Sequence, residues 1–203
     1  MKLVIIDYGM GNLNSLKSTF EYLNLNDVSV SNNFEDIVKA NKLLLPGVGS
    51  FANAITKIKA LKLEKILKDQ VISKKKPILG ICLGMQLLCK YSEEDGGAKG
   101  LGFIDAECKK FNIKNLKIPH VGFNQVDINL DAKINKGLSG KKDFYFTHSY
   151  RLQSKNEIKS SFCTYGEDFI ASFEKDNIIG TQFHPELSQH NGLKLLKNFI
   201  ENF

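Results

Sequence analysis

The chain has no tryptophan, and Arg151 is its only arginine. The rest of its 28 basic residues are lysines, set against 22 acidic residues for a net charge of +6. These lysines are scattered, apart from the run Lys74–Lys76 and pairs at 109–110 and 141–142. Nucleic-acid binders cluster their basic residues and use arginine forks on base edges. The pattern here reads as solvated outer faces, and no nucleic-acid partner is expected. No apolar run approaches the roughly 20 residues of a membrane span. The opening MKLVIIDYG has one lysine and a short apolar run broken by Asp7, too brief for a secretory leader, and reads as a first strand. Cysteines 82, 89, 108 and 163 form no Cys-x-x-Cys pair, so neither a zinc site nor a redox dithiol is suggested. Reduced thiols in the cytoplasm are the simplest expectation. Gly9 and Gly11 lack the third glycine of a dinucleotide fingerprint, so they read as a turn between strand and helix. No metal or organic cofactor is expected. No linker, repeat or low-complexity segment divides the chain, and residues 1–203 read as a single domain.

What is present alternates. Leu3–Ile6 is a continuous apolar run of the kind that forms a strand buried on both faces, Leu43–Leu45 and Pro77–Ile81 are further short apolar runs of strand type, and Val28–Val30 is another short strand. Helical spacing follows three of them: Leu16, Phe20 and Leu23; then Ala54, Ile55, Ile58 and Leu61 with a further helix over 63–73; then Met85, Leu87, Leu88 and Tyr91. This alternation predicts a parallel sheet with helices on both faces. From about residue 103 the pattern becomes short strands separated by polar turns: 106–111, 125–128, 144–148, 157–162, 169–173 and 178–183. A helix over 191–202 closes the chain. The expected fold class is α/β, a mixed and mainly parallel central sheet flanked by helices, with additional antiparallel strands.

The segment at the centre is Pro77-Ile78-Leu79-Gly80-Ile81-Cys82-Leu83-Gly84-Met85-Gln86. It reads as strand, tight turn and helix, with a thiol at the turn between two glycines. This is the Gly-x-nucleophile-x-Gly form, with cysteine in the nucleophile's place. Amides just past such a turn, beginning with Leu83, can lower a thiol pKa and hold an oxyanion. Pro46-Gly47-Val48-Gly49 follows another strand and offers flexible backbone beside the same edge of the sheet. The acidic, glycine-rich stretch 92–97 reads as a solvated loop or as a carboxylate for a substrate amino group. A cysteine nucleophile needs a base and the base an orienting group. His184 ends a strand, and Glu186 two residues on would share its side in extended backbone. The order is Cys, His, Glu.

These three signatures, Pro46–Gly49, Gly80–Gln86 and His184-Pro185-Glu186, resemble those of class I (triad) glutamine amidotransferases. Asp7–Leu13, Ile118–Asn124 and Tyr145–Tyr150 further resemble the glutaminase subunits of imidazole glycerol phosphate synthases. The resemblance runs along the whole chain and implies a flavodoxin-like fold of that class. It implies a reaction too: Cys82 attacks the amide of L-glutamine, His184 moves the proton and Glu186 orients it. Backbone of Val48, Gly49 and Leu83 would hold the oxyanion. Gly49, Gln86, Glu94, Ser149 and Tyr150 would surround the substrate. Asn12, His120, Phe123, Asn124 and Tyr145 would face a (β/α)8-barrel cyclase that uses the ammonia in histidine biosynthesis. Phe123 stands where members of that pathway usually have tryptophan, and Leu187 where lysine is usual. Similar paralogues with Gly-Phe-Asn supply sugar-amidating synthases, so the resemblance leaves that second acceptor open.

Overall fold

A computed structural model describes all 203 residues. Strands β1 (Leu3–Ile6), β2 (Val28–Ser31), β3 (Lys42–Leu45) and β4 (Ile78–Ile81) are joined by helices. These are α1 (Leu13–Tyr22), α2 (Phe34–Lys39), α3 (Phe51–Ala60) and α4 (Leu63–Lys68). After α5 (Leu83–Leu87) come short strands β5 (Tyr91–Ser92) and β6 (Ala98–Lys99), then β7 (Ala106–Lys110), β8 (His120–Asp127) and β9 (Lys141–His148). The chain continues through β10 (Tyr150–Ser154), β11 (Lys159–Thr164), β12 (Asp168–Lys175) and β13 (Ile178–Thr181) to α6 (Gln189–Asn202).

One sheet runs in the order β2-β1-β3-β4-β13-β12-β10-β7-β5-β6. Its first five strands are parallel. From β12 onward the pairing is mostly antiparallel. A second wing, β11 with the β8–β9 hairpin, branches from β12. The central parallel strands β1, β3, β4 and β13 are buried on both faces, whereas the edge strand β2, Val-Ser-Val-Ser, buries only Val28. Val4, Ile6, Leu43, Leu45 and Ile78 pack with α3–α5 on one side. Leu3, Ile5, Leu44, Leu79 and Ile81 pack with α1 and α6 on the other.

Several elements differ from the sequence reading. α5 stops at Leu87, and Tyr91 belongs to β5. The helix expected over 63–73 passes into a π-helical turn at Asp69–Ser73. α2 shows no periodicity because only Ile37 of its six residues is buried; Asn33 starts it by accepting from the Glu35 amide at 2.7 Å. β8 begins at His120 rather than Gln125, and β10 is an extra strand pairing β7.

Candidate active site

The loops after β1, β3, β4 and β13 emerge side by side, because these four strands are parallel and adjacent. They gather residues 7–12, Pro46–Gly49, Cys82 and His184 at the carboxyl edge of the sheet, where open α/β sheets bind ligands.

Cys82 sits at a sharp corner with φ 52° and ψ −110°. That region is unfavourable for a side chain and persists only where the surroundings enforce it. The enforcement comes from close packing of backbone. A Cβ on Gly80 would lie 2.7 Å from the Met85 amide nitrogen, and one on Gly84 would strike the Leu45 carbonyl oxygen. Both glycines are therefore required by approach, as the Gly-x-Cys-x-Gly spacing suggests.

His184 follows β13, its amide donating to the Tyr145 carbonyl at 2.9 Å. Its Nδ1 lies 2.9 Å from Glu186 Oε1. The contact does not arise from extended backbone: Pro185–Leu187 is a 3-10 turn, which brings Glu186 back under the ring. The Ser188 hydroxyl fastens this turn, donating to the His184 carbonyl at 2.6 Å and accepting from the Tyr145 amide at 2.9 Å. Both triad side chains beyond Cys82 are nearly inaccessible. His184 Nε2 and Glu186 Oε2 have no partner within the chain. Burial acts to lower the His184 pKa, but Cys82 and Glu186 outweigh it and raise the value to about 10. Nε2 makes no hydrogen bond to Sγ, and Cys82 acts on His184 as a neighbouring charge.

Cys82 opens into a cavity of about 340 Å³. Val48, Gly49, Leu83, Gln86, Glu94, Ser149 and Tyr150 line it, so every residue expected around the oxyanion and the substrate meets there. Gly49 has φ 104°, a conformation that favours glycine. The Tyr8 hydroxyl braces the same loop by donating to the Pro46 carbonyl at 2.5 Å. Glu94 accepts from the first amide of α3, at Phe51, at 2.8 Å. Its partial burial raises the carboxyl pKa, which the Phe51 amide partly offsets. Pro119, Thr147 and His148 complete the wall. A second cavity, about 270 Å³, lies on the other side of the triad; it is lined by His184 and Glu186 with Asn12, Val48, Tyr145 and Leu187.

Of the residues expected to face a partner, Asn12, Phe123 and Tyr145 are at the surface or half-buried, and the rings of Phe123 and Tyr145 meet edge to face at 5.5 Å. His120 is not at the surface. It is 3% exposed, stacked on Tyr165 at 4.0 Å and on Phe146 at 4.9 Å. Side chains alternate along β8, so His120 and Asn124 turn inward while Val121 and Phe123 turn out. His120 Nδ1 lies 3.0 Å from His148 Nε2, and His148 Nδ1 donates to the Tyr150 carbonyl at 2.8 Å. Burial lowers the His120 pKa to about 4 and the His148 pKa to about 3, so both rings are neutral near pH 7.

Gln182 also belongs to the site. Its Nε2 lies 3.7 Å from Cys82 Sγ, and its Oε1 accepts from Gln86 Nε2 at 2.9 Å. No motif marks it; in sequence it reads as one more residue of the strand leading to His184. The available signal is position, two residues before His184, with a polar side chain at the end of a mainly apolar run.

The model of the class-I glutamine amidotransferase family matches residues 4–203. The chain belongs to that family. Among relatives of this amidotransferase, imidazole glycerol phosphate synthase subunit HisH 1 of Campylobacter jejuni is 49% identical, covering 98% of each chain. Subunit HisH 2 of Methanococcus maripaludis is 46% identical, again covering 98% of each. At this identity and coverage the amidotransferase belongs with the HisH subunits. Among solved structures, a chain of PurLQS from Thermotoga maritima superposes with a TM-score of 0.71 at 15% identity, covering 98% of this chain and 97% of that one, and so shares the fold. No helix of the amidotransferase is long and apolar enough to cross a membrane.

Proposed function

We propose that this chain is the glutaminase subunit of an imidazole glycerol phosphate synthase, acting as one domain over residues 1–203. It hydrolyses L-glutamine to glutamate and ammonia. The observation that carries the reading is Cys82: a strained corner thiol, charge-coupled to a His184–Glu186 pair, in the wall of a cavity that also collects Gln86, Glu94 and Tyr150. The thiolate attacks the side-chain amide carbon of glutamine. The resulting oxyanion is met by backbone amides of Val48 or Gly49 and of Leu83. His184 gives its proton to the departing nitrogen, ammonia leaves and a thioester remains. Water, deprotonated by His184, then releases glutamate and re-forms the thiolate beside the protonated imidazole. Glu186 keeps the proton on the imidazole where the cycle needs it. Glu94 is the carboxylate for the substrate ammonium, and Gln86 with the backbone at Ser149 and Tyr150 orients the rest.

Ammonia becomes ammonium in water near neutral pH and loses its nucleophilicity, so release into solvent serves no synthesis. The second cavity supports delivery on the far side of the triad, toward Asn12, Tyr145 and Leu187. Val121, Phe123 and Leu187 are 56%, 51% and 48% exposed on that side, which suits docking of a barrel cyclase. Four free cysteines fit a cytoplasmic setting.

Glutamate release is the direct test, measured for the chain alone and then with a barrel cyclase and its nucleotide substrate. Strong stimulation, abolished by Cys82→Ala, is expected. Hydrolysis that survives Cys82→Ala would overturn the assignment of the nucleophile. Phe123 and Leu187 in place of the usual tryptophan and lysine favour one second reading, a sugar-amidating synthase as acceptor. Labelling of Cys82 by an electrophilic glutamine analogue without stimulation by the cyclase would select it.

A further inference from the structure

Five buried or half-buried neutral groups connect into one hydrogen-bonded chain that ends on the nucleophile. The Tyr150 carbonyl accepts from Gln86 Nε2 at 3.1 Å. A carbonyl can only accept, so Gln86 must present its NH2 end there. The same Nε2 donates to Gln182 Oε1 at 2.9 Å. That contact turns the Gln182 amide so that its own NH2 points at Cys82 Sγ, 3.7 Å away. The direction of every bond is thus set by one backbone oxygen. His148 Nδ1 donates to that same oxygen and holds it in place. Gln182 is 0% exposed, and its backbone amide is tied to the Ala171 carbonyl at 2.8 Å, so the side chain has little freedom to turn away.

The other polar contact of Sγ is with the Thr147 carbonyl, also at 3.7 Å. It serves only the thiol form, which has a hydrogen to donate. Gln182 serves the thiolate, which has lone pairs to offer and none to give. A buried anion without a donor is costly, and a donor that cannot rotate is in place before charge appears.

We propose that Gln182 is a further catalytic residue, whose side-chain amide donates to the Cys82 thiolate and aims it at the substrate carbonyl. This deepens the glutaminase reading and rests on it. The step involves no proton transfer to or from Gln182; it stabilises the anion that attacks and is re-formed when the thioester is hydrolysed. Other groups also face the sulfur: His184, backed by Glu186, from the turn after β13, and Tyr8 from the loop after β1, with His148 of β9 and Glu94 in the cavity wall. All stay in place in the experiment below.

The test is the pH dependence of Cys82 alkylation by iodoacetamide in the full chain, followed by mass spectrometry of the peptide that holds Cys82. Gln182→Met keeps the volume and removes the donor. The alkylation midpoint is expected to rise by about one pH unit. With glutamine, kcat should fall about tenfold while KM stays within about twofold, since the donor acts on the sulfur and not on the substrate. Gln182→Glu keeps an oxygen for Gln86 but sets a carboxylate against the thiolate, and should move the midpoint further up. If circular dichroism shows that the methionine variant does not fold, Gln182→Leu, which also lacks a donor, takes its place. A midpoint unchanged in a folded variant overturns the proposal, whatever happens to kcat. Alkylation does not require turnover, so loss of the glutaminase reading itself would show separately, as a wild-type chain that alkylates normally yet never releases glutamate.

Discussion

His184 carries two opposing influences, and the balance between them predicts how activity responds to pH. Burial disfavours an imidazolium, whereas Cys82 and Glu186 favour it, and the outcome is a pKa raised from 6.5 to about 10. A raised pKa means the folded state holds this proton more tightly than the unfolded chain. The pairing therefore contributes stability that is fully present below about pH 6.5 and is lost as pH rises through about 10. In the proposed mechanism the departing nitrogen receives this same proton. Glu186→Gln keeps a hydrogen-bond acceptor and the shape of the turn but removes the negative charge 2.9 Å from Nδ1. The expected result is a kcat lower by about 10²-fold and an alkaline limb of the pH–rate profile displaced to lower pH. An unmoved alkaline limb would assign the high pKa to Cys82 alone. The same residues show the reach of sequence reading. Cys82, His184 and Glu186 could be singled out from spacing and residue type, and the fold brings them together, but the mode of contact between His184 and Glu186 was not legible. Pro185 stiffens a 3-10 turn here, and turn type depends on how Ser188 fastens the loop to β9.

At the scale of elements, the site depends on how closely α5 can approach the ends of β3 and β4. Gly84 is in the first turn of α5, where alanine would ordinarily be the better helix former by about 1 kcal/mol. Here a Cβ would collide with the carbonyl oxygen of Leu45, backbone in the middle of the sheet that has no room to retreat. The collision should win, and Gly84→Ala should destabilise the protein by a net of about 1–3 kcal/mol, read as a lower urea midpoint at constant slope. An unchanged midpoint would mean that α5 can shift as a unit. Glutamine hydrolysis should fall with stability, since Cys82 caps the same helix. Apolar runs made the central strands β1, β3 and β4 legible, because burial on both faces leaves little room for polar residues to interrupt them. α2 and β10 were not legible for the opposite reason. The first buries one residue, and the second has no apolar run, because Arg151 is buried in it by pairing with Glu167 at 2.6 Å.

Across the whole molecule, one hairpin serves two purposes through its two faces. The inner face of β8 and β9 presents His120, Phe146 and His148, which pack with Tyr165 and Phe169 and support the Tyr150 carbonyl behind the Cys82 cavity. The outer face presents Val121, Phe123 and Tyr145 beside the second cavity. Residues 120 and 123 are three apart, so strand alternation assigns them opposite faces once the strand is known to begin at 120. The resemblance put both residues at the partner face, and a strand placed only from Gln125 onward could not separate them. Truncating each side chain should therefore have different effects. His120→Ala removes a buried ring and leaves His148 Nε2 without its partner, so stability should drop by about 2–5 kcal/mol in denaturant titrations. Phe123→Ala removes a half-exposed ring, so its unfolding midpoint should hardly move. Its effect should appear when the cyclase is titrated in: an aromatic anchor near the centre of an interface typically contributes about 2 kcal/mol, which corresponds to a dissociation constant weaker by more than about tenfold. If instead Phe123→Ala binds the cyclase as tightly as the parent chain, the docking face lies elsewhere, and ammonia leaving past Tyr145 and Leu187 would need a different receiver.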